Sequence, residues 1–189
     1  MAVLPVFDDD DILPAWQLNA LRNEIERVVI ATFSDNTRTN KPLFKVRRTS
    51  NQSITQNTDT LVVWQTYSED PDGMWDPAVP NRVTSKRAGV WLLMAQERYP
   101  LSASGDRAGK IMWNGTSVFD NSIASYKGAA RNDGEGTTLS LGCIKRLGVG
   151  DAIYLNTWQS SSTAQNLTSG AAEDDDFGGT WLSGVWLGP

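Results

Sequence analysis

Roughly the last hundred residues carry four short apolar, β-like runs separated by glycine-rich turns, and they finish on Phe177 to Pro189 (FGGTWLSGVWLGP). A segment spelled like a central strand, with Trp181, Val185 and Trp186 among small residues, is expected to be locked into a sheet rather than left to fray. The layout predicts a β-sandwich whose role is shape and surface, and it is the first argument against an enzyme.

Composition narrows the classes further. The 189 residues, 40% of them hydrophobic, suffice for one ordinary core and a smaller appendage. Net charge is −5 and the 17 basic residues are scattered, so nucleic acid is not an expected partner. No apolar run reaches the ~18 residues of a membrane span, and the start lacks the basic-then-apolar pattern of a secretion signal. Synthesis in a cytosol is therefore expected. The single cysteine, Cys143, cannot form an intrachain disulfide and reads as a small buried hydrophobe. Histidine is absent, which removes Ser-His-Asp and Cys-His catalysis and any zinc site needing imidazole. No cofactor and no catalytic residue is expected.

Residues 1–42 read differently from the remainder. Asp8 to Asp11 are acidic, Pro14 suits a first helical turn, and AWQLNALRNEIERVVIATF follows without glycine or proline. Leu18, Leu21, Ile25, Val28 and Thr32 step by threes and fours, lining one helix face. The stripe is too short to hold a coiled coil alone. It docks on its own β-domain, on a host surface, or around a symmetry axis that another domain enforces. Asp35 to Lys41 reads as a polar linker.

From Leu43 the pattern is all-β. Candidate strands are Leu43 to Arg47, Thr60 to Gln65, Gly89 to Tyr99, Lys110 to Trp113, Ser117 to Phe119, Thr137 to Leu147, Asp151 to Gln159 and Thr180 to Leu187. Asn114-Gly115 is a hairpin signal, and DPDGMWDPAVP at Asp70 to Pro80 is turn and loop. About eight to ten strands at short spacing predict an antiparallel jelly-roll sandwich over 43–189.

Several of these words carry a resemblance. Gly73-Met74-Trp75, Gly89-Val90-Trp91-Leu92-Leu93, Asn114-Gly115-Thr116, the run from Leu147-Gly148-Val149-Gly150-Asp151 to Leu155, and Phe177-Gly178-Gly179-Thr180-Trp181-Leu182 follow one another along the chain. In this order they resemble the strand signatures of complement globular-head and tumour-necrosis-factor-like jelly rolls. The resemblance implies a homotrimer whose axis is lined by aromatic and apolar strand faces, with Trp91, Trp181 and Trp186 as trimer or core aromatics. ILPAWQLNALRNEIE further resembles N-terminal attachment segments of tailed-bacteriophage virion proteins, and WLSGVWLGP the terminal strand of phage versions of the domain. There is no collagen-like or long coiled-coil stalk, which favours a compact knob over a long fibre.

Other candidates have plainer readings beside them. Asp70, Asp72 and Asp76 around Gly73 have the style of a calcium loop but lack the EF-hand spacing, and a solvated turn is the competing reading. Glu173 to Asp176 reads as an acidic loop tip. Trp75, Tyr126 and Trp158 are candidates for stacking on sugars, against core packing. Sequons at Asn51, Asn114 and Asn166 are what chance supplies in an Asn- and Ser/Thr-rich chain.

The expectation is a homotrimeric phage virion protein, on the exterior of a particle assembled in the host cytoplasm, serving as a capsid-decoration or head-fibre knob. Trp16, Leu18, Leu21, Ile25 and Val28 would meet trimer mates or the major capsid or tail protein. The alternative is a minor tail or baseplate protein that recognises a host cell-surface glycan.

Overall fold

The computed structural model describes residues 42–131, 136–169 and 179–189, which hold strands and no helix. The helical stripe with Trp16, Leu18, Leu21, Ile25 and Val28, and the acidic run Glu173 to Asp176, lie outside the described residues. In chain order the strands are β1 (Leu43–Arg47), β2 (Gln52–Ile54), β3 (Thr60–Leu61), β4 (Thr66–Glu69), β5 (Val83–Thr84) and β6 (Gly89–Tyr99). They continue with β7 (Asp106–Trp113), β8 (Ser122–Ala129), β9 (Thr137–Leu147), β10 (Ala152–Gln159), β11 (Gln165–Leu167) and β12 (Trp181–Gly188).

Two antiparallel sheets face each other. The first has the order β4-β1-β12-β6-β9; the second runs β3-β10-β7-β8 with β5 also on β10, and β2 and β11 form a separate ribbon. The last strand pairs between the first and the sixth, and β6 jumps to β9, so the connections cross between sheets as a jelly roll requires. Period-two alternation builds the core. Phe44 and Val46 of β1, Trp91, Leu93 and Ala95 of β6, Leu139 and Leu141 of β9, and Leu182 of β12 point inward against Ile111, Ile153 and Leu155 of the second sheet.

β1, β6 and β9 have the bounds their patterns predict. Other segments differ: β7 begins at Asp106 rather than Lys110, β2, β4, β5 and β11 answer to no predicted strand, and two predicted strands change. Ser117 to Phe119 is not a strand; Asn121 N donates to Ser117 O at 2.9 Å across a turn, and the strand begins at Ser122. That strand, SIASYKGA, is polar and small because it sits at a sheet edge with much of its surface in water. Thr60 to Gln65 pairs only over Thr60–Leu61; Val62 then donates to Leu155 O at 2.9 Å and Trp64 to Pro80 O at 2.8 Å, one bond each to different partners. Cys143 is half-buried against the core, and burial pushes its thiol upward in pKa while Lys145 pulls the other way.

At one end of the sandwich Asp151 ties two turns together. Its carboxylate accepts from Trp113 Nε1 at 3.0 Å, Gly148 N at 2.7 Å and Asn114 Nδ2 at 2.7 Å, while Asn114 Oδ1 accepts from Ala152 N at 2.7 Å. Asn114 takes a φ of 53°, a left-handed turn geometry asparagine tolerates better than most residues.

β12 can lie against the core only because position 184 is glycine. A Cβ there would meet Phe44 Cε1 at 2.3 Å and Leu93 Cδ2 at 3.0 Å. Gly184→Ala is therefore expected to lower stability by about 1–3 kcal/mol through overpacking. Urea unfolding of the two proteins checks this; equal midpoints would show that the core yields freely.

Candidate self-association surface

The register of the first sheet sets side chains in rows on its outer face. Leu43, Val185, Leu92 and Ile144 form one row across β1, β12, β6 and β9. The next row is Lys45, Ser183, Met94 and Gly142, and beyond it stand Arg47, Trp181, Gln96 and Ser140. Ile144 is 67% exposed, and Val185 and Met94 are exposed as well. Four aliphatic side chains in one row, with Met94 beside them, make an apolar band of the kind that marks an interaction surface.

The tryptophans divide between the two sides. Trp91 is wholly buried, its ring 6.2 Å from Phe44 and its Nε1 donating to Arg87 O at 3.3 Å, so it belongs to the sandwich core. Trp186 is half-buried against that core and donates to Ala88 O at 3.1 Å. Trp181 stands on the outer face with Lys45 Nζ 5.5 Å from its ring centroid.

A second feature is the sandwich's open side. β8 and β9 end their respective sheets there. Tyr126 pairs with Gly109, and a Cβ on Gly109 would sit 2.8 Å from Glu97 Oε1, which places both positions on the inner face. Yet Tyr126 is 52% exposed, at the edge where β8 and β9 approach each other without pairing. A Cβ on Gly128 would meet Tyr126 Cε1 at 3.2 Å and Leu139 at 3.8 Å, so the ring lies along the opening.

Under that opening the core turns polar. Glu97 and Tyr99 of β6, Arg107 of β7 and Thr157 of β10 are all fully buried. The Thr157 hydroxyl donates to Glu97 Oε2 at 2.7 Å and accepts from the Tyr99 hydroxyl. The Arg107 guanidinium lies 5.2 Å from the centre of the Tyr99 ring and donates to Asp106 O at 3.0 Å. Burial raises the Glu97 carboxyl to about 8, with the Thr157 hydrogen bond pulling it back. Burial foremost, then the neighbouring Glu97 charge, also pushes the Tyr99 phenol up.

The remaining sequence candidates fall in separate places. Asp70 accepts from Met74 N at 2.7 Å and Trp75 N at 2.9 Å, Asp76 accepts from Ala78 N at 2.8 Å, and Asp72 lies 3.6 Å from Arg87 Nε. These carboxylates hold their own loop. No group of three or more His, Cys, Asp or Glu suited to a metal occurs among the described residues. Trp75 donates to Pro80 O at 3.3 Å and meets Tyr67 edge-on at 6.1 Å. Trp158 is on the outer face of the second sheet and Tyr126 takes an inner-face position, yet both line one open groove, and Trp75 is not among its lining residues.

Sequence reasoning missed Leu92, Met94, Ile144 and Val185 as site residues. The signal was present in β6, where Val90, Leu92 and Met94 alternate with Trp91, Leu93 and Ala95, leaving no polar face over that stretch.

No protein-family model and no curated protein sequence matches this chain. Its fold is that of tumour-necrosis-factor-like jelly rolls. A crystal structure of murine APRIL at pH 5.0 superposes with a TM-score of 0.56 at 16% identity, covering 78% of this chain and 99% of APRIL's. The Eiger TNF structure from S. frugiperda gives 0.52 at 11% identity, covering 78% and 92%. The likeness is one of fold.

Glu97 makes stability pH-dependent. Unfolded, its carboxyl ionises near the usual ~4.3; folded, it holds its proton up to about 8. The raised value contributes stability that is present below ~4.3 and lost as pH climbs toward 8. Glu97→Gln should flatten that loss, whose slope for wild type approaches at most ~1.4 kcal/mol per pH unit between pH 5 and 8. Urea midpoints at pH 5, 6.5 and 8 measure it, and parallel profiles for the two proteins would contradict the assignment.

Proposed function

We propose that this chain is a homotrimeric virion structural protein, a jelly-roll knob on the exterior of a tailed-phage particle, acting as capsid decoration or head fibre. The observation that carries the self-association is the pairing of an apolar outer face on the first sheet with an open edge at β8 and β9. Face and edge are different surfaces of one molecule, so joining them is heterologous and closes into a ring only for a suitable rotation. The tumour-necrosis-factor-like fold supports three copies as that ring. The virion assignment is supported by the resemblance of the segment ILPAWQLNALRNEIE to phage attachment segments, in which Trp16, Leu18, Leu21, Ile25 and Val28 would meet the major capsid or tail protein. The role is binding rather than turnover.

A second reading, a minor tail or baseplate protein that recognises a cell-surface glycan, is favoured by a groove with an indole and two lysines on the second sheet.

Light scattering on the full chain is expected to give the mass of three copies. Ile144→Arg changes a side chain that touches little of its own fold, so it should yield monomers with unchanged thermal stability of the isolated domain. A monomeric wild type, or an Ile144→Arg protein that stays trimeric, would overturn the proposed interface.

A further inference from the structure

We propose that the groove on the outer face of the β3-β10-β7-β8 sheet binds an acidic pyranose, a sugar ring bearing a carboxylate. The inference deepens the glycan reading and does not depend on trimerisation.

The register builds the site. Trp158, Ala108 and Lys127 stand in one row across β10, β7 and β8, and Lys110 and Ser125 stand in the next. Together with Asp59 and Tyr126 they line an open groove of about 330 Å³, within the range of small-ligand sites. Ala108 is the smallest side chain of its row, and the partly exposed Trp158 indole stands beside it with the Lys127 ammonium near its ring. An indole flank accepts the C–H face of a sugar ring.

The polar groups suit the rest of such a ligand. Lys110 Nζ lies 3.1 Å from Asp59 Oδ1, a donor beside an acceptor. Neighbouring sugar hydroxyls, each donor and acceptor at once, match that pair. Lys127 Nζ is 5.5 Å from the Trp158 ring centroid and 2.8 Å from Asp106 Oδ2. The Lys127–Asp106 pair is 60% and 40% exposed, and an exposed ion pair contributes little, so a ligand carboxylate can take the ammonium over. Lys110 and Lys127 are each paired with an aspartate, Asp59 and Asp106, and the group open to a ligand carboxylate is the Lys127 ammonium, whose pair is the more exposed. A peptide is a poorer fit: the backbone of the floor is engaged in the β10·β7 and β7·β8 ladders and has few hydrogen bonds to offer. The groove lies on the opposite face from the Leu43-to-Ile144 row, while its β8 side, at Ser125 and Lys127, adjoins the edge that the proposed self-association uses.

The test uses the full chain with nitrogen-15 in its tryptophans, the Trp158 indole N–H signal being assigned by its loss in Trp158→Phe. Tetragalacturonic acid, sialyllactose and lactose are titrated in turn. A saturable shift with either acidic probe and a Kd of millimolar or tighter is expected, weakened about ten-fold by Lys127→Gln and by added salt. Which acidic probe binds identifies a uronic or a sialic acid source. Lactose binding as well as the acidic probes, or no probe moving the signal, overturns the proposal. Light scattering on the same samples reports the trimer separately, so failure of one reading is not failure of the other.

Discussion

The structure hangs on β6, an eleven-residue strand with a partner along each edge, β12 on one side and β9 on the other. Its first half is apolar on both faces. The inner set, Trp91, Leu93 and Ala95, fills the space between the sheets; the outer set, Val90, Leu92 and Met94, is only partly covered. A strand buried on both faces is the mark of a central layer, and here one of the two covering layers is missing from the single sandwich. The second half of the strand reverses this. Gln96 and Arg98 make the outer face polar, while Glu97 and Tyr99 bring polar groups into the core.

That reversal has a physical cost which the neighbours absorb unevenly. Thr157 serves both Glu97 and Tyr99, yet Glu97 Oε1 and Arg107 Nε and Nη2 have no hydrogen-bond partner among the described residues. Holding Glu97 neutral removes most of the desolvation that an ionised carboxylate would suffer there. Gly109 keeps the space for it, since any side chain at that position would collide with its oxygen. The polar cluster and the glycine under the open edge are thus one arrangement. At the far end, Asp151 does the opposite work with a solvated carboxylate, gathering three donors from two turns.

How much of this was legible follows from which interactions are local. Gly89 to Tyr99 and Thr137 to Leu147 declare themselves by alternation and by the glycines beside them, and the turn at Asn114 by its residue type. The edge strand Ser122–Ala129 does not, because an edge needs no apolar pattern to pair on one side only. The candidate sites were less visible for a different reason. Leu43, Val185, Leu92 and Ile144 are far apart in the chain and become a row only through three registers, each of which a one-residue slip would invert. Glu97 carries no mark of burial in its local sequence, and only the parity of β6 places it inward.

The two outer faces of the sandwich differ in chemistry. Both are made by the same alternation, but the first sheet spends its outward positions on aliphatics, and the second spends them on Trp158, Lys127 and Lys110 around a small Ala108. An aliphatic row gains most when a large flat surface covers it and excludes water, which another copy of the same rigid sandwich can supply. A lysine and indole groove gains most from a small ligand that exchanges one solvated ion pair for another while stacking its apolar side. One alternation of residues thus gives the sandwich an aliphatic row on one outer face and an indole-and-lysine groove on the other.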